Sequence, residues 1–119
     1  MNSDAMAQAC AKSALEKKAL DLRILHISEL SSLADYLVIA TGTSDRHVQA
    51  IAEAVRVEQK QNSATSPLAV EGLDDGRWVL LDYGDVMVHI FQDEVRRFYD
   101  LEGLWIEAPE VEVDVDSAP

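Results

Sequence analysis

The stretch Arg77-Trp-Val-Leu-Leu-Asp-Tyr-Gly-Asp-Val-Met-Val-His-Ile-Phe91 decides the fold, because it predicts two strands around a tight turn at Tyr83-Gly84. Side chains of a strand alternate between the two faces of a sheet, so the cross-strand pairs follow by counting outward from the turn. The first face mixes aromatic, histidine, methionine and acidic side chains: Trp78 opposite His89, Leu80 opposite Met87, and Asp82 opposite Asp85, with Phe91 beyond.

The second face of this hairpin is wholly aliphatic and is predicted to be core, with Val79 opposite Val88, Leu81 opposite Val86, and Ile90 beyond. The first face has two interpretations of equal weight. Trp, Tyr and Met are enriched at the centres of protein interfaces, which favours a docking surface. Alternatively, a helix covers this face and Trp78 is part of the core.

Upstream, Tyr36-Leu-Val-Ile-Ala-Thr41 is apolar on both faces, which predicts a central strand covered on both sides. Gly42 ends that strand and Ser44 is a good N-cap for a helix that runs to about Gln61. Four apolar residues follow the cap at helical spacing and predict the buried stripe of this helix: Val48, Ile51, Ala52 and Val55.

The sequence signals for the other helices and strands are weaker. We expect a helix through Ala7–Leu20, strands at Leu22–Ile27 and Leu68–Glu71, and a last helix from Asp93 with Gly103 as its C-terminal cap. The last helix places three side chains on one stripe: Val95, Phe98 and Tyr99. This order predicts a single α/β domain, with a mixed sheet of about five strands flanked by helices.

Length and charge limit the possible functions. The 119 residues suit one domain, and 22 acidic against 10 basic residues give a net charge of −12. That charge argues against direct wrapping of nucleic acid and against anionic membranes, and it favours a basic protein partner. A single cysteine, Cys10, rules out an internal disulfide and favours a reducing compartment, so we expect a cytoplasmic protein.

The two ends of the chain differ from its middle. Residues 107–119 carry five acids, two prolines and no base, which predicts an acidic disordered tail. Residues 1–7 are expected to be disordered or derived from a tag. The domain is therefore placed at 8–106.

Few residues of the sequence support a catalytic function. Gly42-Thr-Ser44 resembles the opening motif of nucleotidyltransferases, which also need paired carboxylates to hold two metal ions. The next strand offers only Glu71, so the Asp-x-Asp pair is missing, although Asp82 and Asp85 are predicted to lie side by side at the hairpin tip. The three histidines lie on different elements without ligand-like spacing, so we expect no metal and no cofactor.

The sequence resembles the Iojap or ribosomal silencing factor family over about residues 12–106. Five stretches carry the resemblance: Ala34–Val48, Val70-Glu-Gly72, Trp78–His89, Arg96-Arg-Phe-Tyr99 and Leu101-Glu-Gly-Leu-Trp105. The resemblance implies a nucleotidyltransferase-like fold without the catalytic carboxylates and a function without catalysis. It implies binding to large-subunit ribosomal protein fourteen, which prevents the small subunit from joining and represses translation.

From the predicted pairing and the shared motifs, six residues are candidates for contact with this partner: Trp78, Asp82, Asp85, His89, Phe91 and Tyr99. Direct contact with nucleic acid is expected to be small, and no membrane is involved. Two alternatives stay open. One is a metal-dependent nucleotidyltransferase with Ser44, Asp82 and Asp85 in its site, and the other is a homodimeric adaptor in which the first face of the hairpin pairs with itself.

Overall fold

Four helices and six strands make up residues 2–113, which is the part of the chain that the computed structural model describes. None of the helices in this range combines the length and the apolar character that a bilayer crossing needs. The elements in chain order are α1 Ser3–Glu16, β1 Leu20–His26, β2 Tyr36–Gly42, α2 Asp45–Ser63, β3 Ala69–Glu71, β4 Trp78–Asp82, β5 Val86–Gln92, α3 Asp93–Tyr99, α4 Leu101–Leu104 and β6 Glu110–Val111.

All six strands belong to one mixed sheet with the order β3-β4-β5-β2-β1-β6. β2 and β5 run parallel, whereas the other neighbouring pairs run antiparallel. The α/β class and the mixed sheet predicted from the sequence are therefore confirmed. The sheet has one strand more than expected, because β6 adds to the free edge of β1.

The central position of β2 agrees with its sequence, since all seven of its residues are buried. At the end of β2, a Cβ on Gly42 would lie 2.8 Å from Val48 Cγ2, so only glycine lets α2 start this close to the strand. Ser44 then caps α2, because its hydroxyl oxygen accepts a hydrogen bond from the backbone N–H of His47 at 3.1 Å. The predicted strand, turn and helix are thus confirmed as one continuous unit.

The two faces of the sheet are covered differently. Helices α1 and α2 cover the first, and we call it the closed face; from β4 and β5 it receives Val79, Leu81, Val86, Val88 and Ile90, all fully buried. On the other side, Val95 and Trp105 help to cover Leu25, Leu37 and Ile39 of β1 and β2. Over β4 this second face stays partly open.

The hairpin register differs from the prediction by two residues. Trp78 pairs with Phe91 and Leu80 with His89, where the sequence predicted Trp78 opposite His89. The loop is Gly84-Asp85, because the backbone N–H of Tyr83 donates to Val86 O at 2.9 Å and closes the turn one residue later than expected. A shift of two residues keeps every side chain on its predicted face, since the period of a strand is two.

Both chain ends depart from the expected domain limits. Met6 and Ala7 are buried on α1, so the prediction of a disordered N-terminus is wrong for these residues. Glu110 and Val111 pair with β1, and Val111 packs against the core beneath α1, so the predicted disordered tail is wrong here too. Residues 114–119, the rest of that tail, lie outside the described residues.

The last helix is shorter than the sequence predicts. α3 ends at Tyr99 because Asp100 adopts a left-handed conformation with φ of 46°, and Gly103 lies inside the short α4 instead of capping a longer helix. Only Val95 of the predicted stripe is buried, whereas Phe98 is 80% and Tyr99 55% exposed. Two aromatic rings of α3 therefore lie at the surface.

Candidate partner-binding surface

Alternate residues of β4 and β5 build the candidate surface. Side chains two apart on a strand share a face, which brings six residues onto the partly open side of the sheet. We call this set the hairpin face: Trp78, Leu80, Asp82, Met87, His89 and Phe91. Leu80 and Met87 were placed on this face by the sequence but were not among the six candidates, although both are half-buried and in reach of a partner.

An aromatic cluster forms one end of the hairpin face. The ring centroid of Trp78 lies 4.8 Å from that of Phe91 and 4.8 Å from that of Tyr99. Phe98 meets Tyr99 edge to face at 5.0 Å. Distances of this size are typical of stabilising ring pairs. This cluster therefore contains three of the six predicted site residues, with Trp78 in the middle.

The members of this cluster differ in exposure. Tyr99 is exposed and Trp78 is half-buried, so both present ring surface to solvent. Phe91 is fully buried and was predicted as a contact residue. In this structure it supports Trp78 from below instead of reaching a partner.

His89 is also nearly buried, and it pairs with Trp78. The indole Nε1–H of Trp78 donates to His89 Nδ1 at 3.0 Å. Burial lowers the pKa of His89 to about 4, because the charged imidazolium would lose its hydration. His89 is therefore neutral at cellular pH, and its protonation does not regulate this surface near pH 7.

The two acidic candidates lie at the hairpin tip but do not face each other. Asp82 pairs with Met87 across the strands, and its side-chain oxygen accepts a hydrogen bond from Gly84 N at 2.8 Å. Asp85 is exposed in the loop, and its backbone oxygen accepts from the N–H groups of Asp35 and Tyr36. The predicted opposed pair is wrong because of the register shift. Asp82 belongs to the hairpin face, whereas Asp85 lies at the loop tip beside a cavity that Ser3 and Met6 of α1 also line.

Arg96 fixes α3 against the sheet, a role that sequence reasoning missed. Its guanidinium is buried and donates to Thr41 Oγ1 and to the backbone oxygen of Asp21, each at 2.7 Å. The same group holds the carboxylate of Glu102 at 2.9 Å. Burial alone would raise the pKa of Glu102, but the hydrogen bond and charge of Arg96 hold it below its usual value. The hydrogen bonds to Thr41 and Asp21 thus anchor α3, the helix that carries Tyr99, to the sheet.

The residues of the nucleotidyltransferase hypothesis lie at opposite ends of the sheet. Ser44 follows the end of β2, whereas Asp85 precedes the start of β5, which runs parallel to β2. β2 and β5 pair over seven residues, which span about 20 Å at 3.3 Å per residue. Ser44 and Asp85 lie at opposite ends of this span. Two-metal sites hold their ions about 4 Å apart, so these residues are not placed to share such a site.

The turn before α2 also has an ordinary structural explanation. The backbone N–H of Thr43 donates to His47 Nδ1 at 2.9 Å, and Ser44 caps the helix. Within residues 2–113, no three His, Cys, Asp or Glu side chains stand together as metal ligands do. The observed contacts of this turn are therefore those of a helix cap.

Comparison with known proteins gives one consistent family. The sequence model of the family described as "Ribosomal silencing factor during starvation" matches residues 1–119. A Bacillus subtilis protein named ribosomal silencing factor RsfS is 39% identical over 114 residues, which is 96% of this chain and 96% of the relative. A mouse protein named mitochondrial assembly of ribosomal large subunit protein 1 is 30% identical over 92 residues, covering 76% of this chain and 40% of that protein.

A solved structure agrees with these sequence matches. The crystal structure of a Chromobacterium violaceum protein superposes with a TM-score of 0.86 at 34% identity, over 99% of this chain and 97% of that one. The similarity therefore extends over the whole described fold, including the hairpin and the helix that follows it. The resemblance drawn from the five motifs is confirmed.

Proposed function

Because the chain belongs to the family of ribosomal silencing factors, we propose that it binds the large ribosomal subunit and keeps the small subunit from joining. The proposed contact is large-subunit ribosomal protein fourteen, as the resemblance implies. In this proposal the protein acts in the cytoplasm by binding alone, without catalysis and without a cofactor, and translation falls because fewer subunits join.

One observation carries the proposal: a half-buried Trp78 and an exposed Tyr99 lie on the only side of β4 that the helices leave partly open. Large aromatic side chains at the centre of a patch supply much of the energy of protein interfaces. Leu80 and Met87 extend the apolar surface of that patch. A patch built this way suits a folded protein partner.

Charge supports a basic partner. Asp82 lies on the hairpin face, Asp85 is exposed at the tip of the same hairpin, and the whole chain carries −12. Complementary charge speeds the encounter of two proteins and fixes their orientation. A ribosomal protein rich in Lys and Arg meets this requirement, whereas RNA phosphates would be repelled. The proposed contact with nucleic acid is accordingly small.

The proposed mechanism is steric. Docking through the hairpin face leaves the opposite layer, α1 and α2, pointing away from the large subunit. The folded chain extends about 30 Å, with principal dimensions of 33, 31 and 29 Å. A body of this size on the intersubunit surface occupies space that the small subunit needs.

Co-sedimentation with separated subunits tests this proposal. The purified protein is expected to sediment with large subunits and not with small ones, at low and at physiological salt, and to reduce the yield of joined ribosomes when small subunits follow. Light scattering on the same sample measures whether the protein is a homodimer. Failure to sediment with large subunits at either salt concentration would overturn the proposal.

Two variants locate the contact, and a third serves as control. Tyr99→Ala removes an exposed ring and Asp85→Lys reverses an exposed charge, and each is expected to weaken binding about tenfold. Glu16→Lys makes the same charge change on α1, at the far side of the sheet. Equal loss in Asp85→Lys and Glu16→Lys would mean that net charge alone drives binding and that the hairpin face is not the contact.

A further inference from the structure

Trp78 is held in place by a histidine that belongs to the same hairpin face. The register pairs Trp78 with Phe91 and His89 with Leu80, so Trp78 and His89 are diagonal neighbours across the two strands. The indole N–H reaches His89 Nδ1 at 3.0 Å, while the Phe91 ring, stacked 6.0 Å from His89, contacts the indole at 4.8 Å. Two contacts from β5 thus fix one ring on β4.

The hydrogen bond also fixes the chemical state of His89. A nitrogen that accepts a hydrogen bond carries no proton, so the ring proton of neutral His89 is on Nε2. His89 is only 7% exposed, so its polar imidazole has lost most of its hydration. An aliphatic side chain could be buried at this position without that loss. What the imidazole adds at this position is an acceptor for Trp78.

We propose that His89 is a positioning residue for Trp78, holding the indole so that it meets a partner through its ring surface and not through its N–H group. This inference rests on the proposed function, in which the hairpin face docks on the large subunit. Since the only donor of Trp78 is already used inside the protein, the partner presents an apolar or cationic group to the indole instead of a hydrogen-bond acceptor.

His89→Leu and His89→Asn separate the acceptor from the bulk of the side chain. Leucine fills space without an acceptor, whereas Asn Oδ1 stands as many bonds from Cα as His Nδ1 and accepts a hydrogen bond. The readout is the indole N–H resonance of Trp78 in two-dimensional nitrogen–proton NMR, with Trp105→Phe as background so that a single indole remains. We expect His89→Leu to shift this resonance and to speed its exchange with solvent about tenfold, which is 1.4 kcal/mol of lost protection. In His89→Asn both are expected to stay near the parent values.

Binding is then measured by sedimentation with large subunits, using the same variants in the full chain. We expect His89→Leu to weaken binding about fivefold to tenfold and His89→Asn to restore most of it. An unchanged indole resonance in His89→Leu overturns the proposal. So does a loosened indole with unchanged binding, or a His89→Asn variant that binds as poorly as His89→Leu.

Two further samples keep the test informative. If His89→Leu does not fold, Trp78→Phe replaces it, because this variant removes the donor while His89 remains. The proposal is overturned if Trp78→Phe loses less binding than His89→Asn does. Tyr99→Ala keeps both partners of the hydrogen bond, removes a ring that packs on Trp78, and reports on the docking surface. If Tyr99→Ala binds as the parent does, the proposed function fails at this surface, while the NMR result on Trp78 still stands by itself.

Discussion

The two faces of β4 and β5 are built from alternate residues of the same two strands and yet differ in almost every property. The closed face is aliphatic, fully buried and covered by α1 and α2. The hairpin face carries aromatic rings, a neutral histidine and an acid, and it is covered only in part. Side chains alternate between the two faces of a strand, so adjacent residues have different roles. Residues on the closed face stabilise the fold, and residues on the hairpin face are proposed to contact the partner.

Leu81 and Leu80 give the sharpest test of this separation, because they are adjacent on β4 and face opposite ways. Leu81 is fully buried, so Leu81→Ala is expected to lower the free energy of unfolding by about 4 kcal/mol, from lost transfer energy plus the cavity. Leu80 is half-buried, so Leu80→Ala is expected to cost about 1 kcal/mol and to weaken large-subunit binding instead. Urea unfolding and sedimentation measure the two effects. Equal stability losses would break the comparison.

Acid is expected to act on the hairpin face through His89. Its pKa is about 4 in the folded protein against 6.5 for a free side chain. Between these values the unfolded chain binds a proton that the folded chain does not, so stability falls as the pH drops from 6.5 towards 4. The expected loss at the acid end is about 3 kcal/mol.

The contribution of His89 is isolated by measuring the free energy of unfolding across this pH range in the parent and in His89→Asn. All carboxylates are common to both proteins, so only the titration of His89 differs. We expect the parent curve to fall more steeply below pH 6.5 and the two curves to run parallel above it. Parallel curves over the whole range would show that His89 is protonated as easily in the folded state as in the unfolded one.

Arg96 and Arg97 allow a smaller test of how the second face is covered. Arg96→Leu removes buried hydrogen bonds to Thr41, Asp21 and Glu102, and we expect it to cost about 2 kcal/mol. Arg97 forms an exposed ion pair with Asp93 at 3.0 Å, so Arg97→Leu is expected to change stability by less than about 0.5 kcal/mol. Hydrogen exchange should show that only the first variant loosens α3. Similar exchange in both would remove Arg96 as the anchor.

The sequence predicted the closed face and the composition of the hairpin face, and it did so despite a wrong register. Either Tyr83-Gly84 or Gly84-Asp85 satisfies the preference of a two-residue loop for glycine, and the bond from the Tyr83 N–H to Val86 O shows that the chain uses the second. Because the two registers differ by two residues, the error changed the partners of each side chain but not its face. The alternation of side chains along a strand therefore predicts a surface more reliably than the predicted cross-strand pairs do.

Other features were beyond the sequence for stated physical reasons. The strand at Glu110–Val111 lies within a run of acids whose composition is typical of disorder, and its position comes from pairing with β1 and from packing of Val111 on the core. The burial of Arg96 depends on Thr41 and on a backbone oxygen far away in the chain. Partners of this kind are supplied by tertiary structure, and no local pattern encodes them.

The smallest effect concerns the cap of α2, on the closed side of the comparison. Ser44→Ala removes the acceptor for the N–H of His47, which is expected to cost about 1 kcal/mol, whereas Ser44→Asp keeps an acceptor and is expected to stay within about 0.5 kcal/mol of the parent. If function lies on the hairpin face, both variants bind large subunits as the parent does once they are folded. A binding loss in Ser44→Asp, at unchanged stability, would instead assign a role to the turn at the end of β2. The division between a stabilising face and a recognising face would then no longer hold.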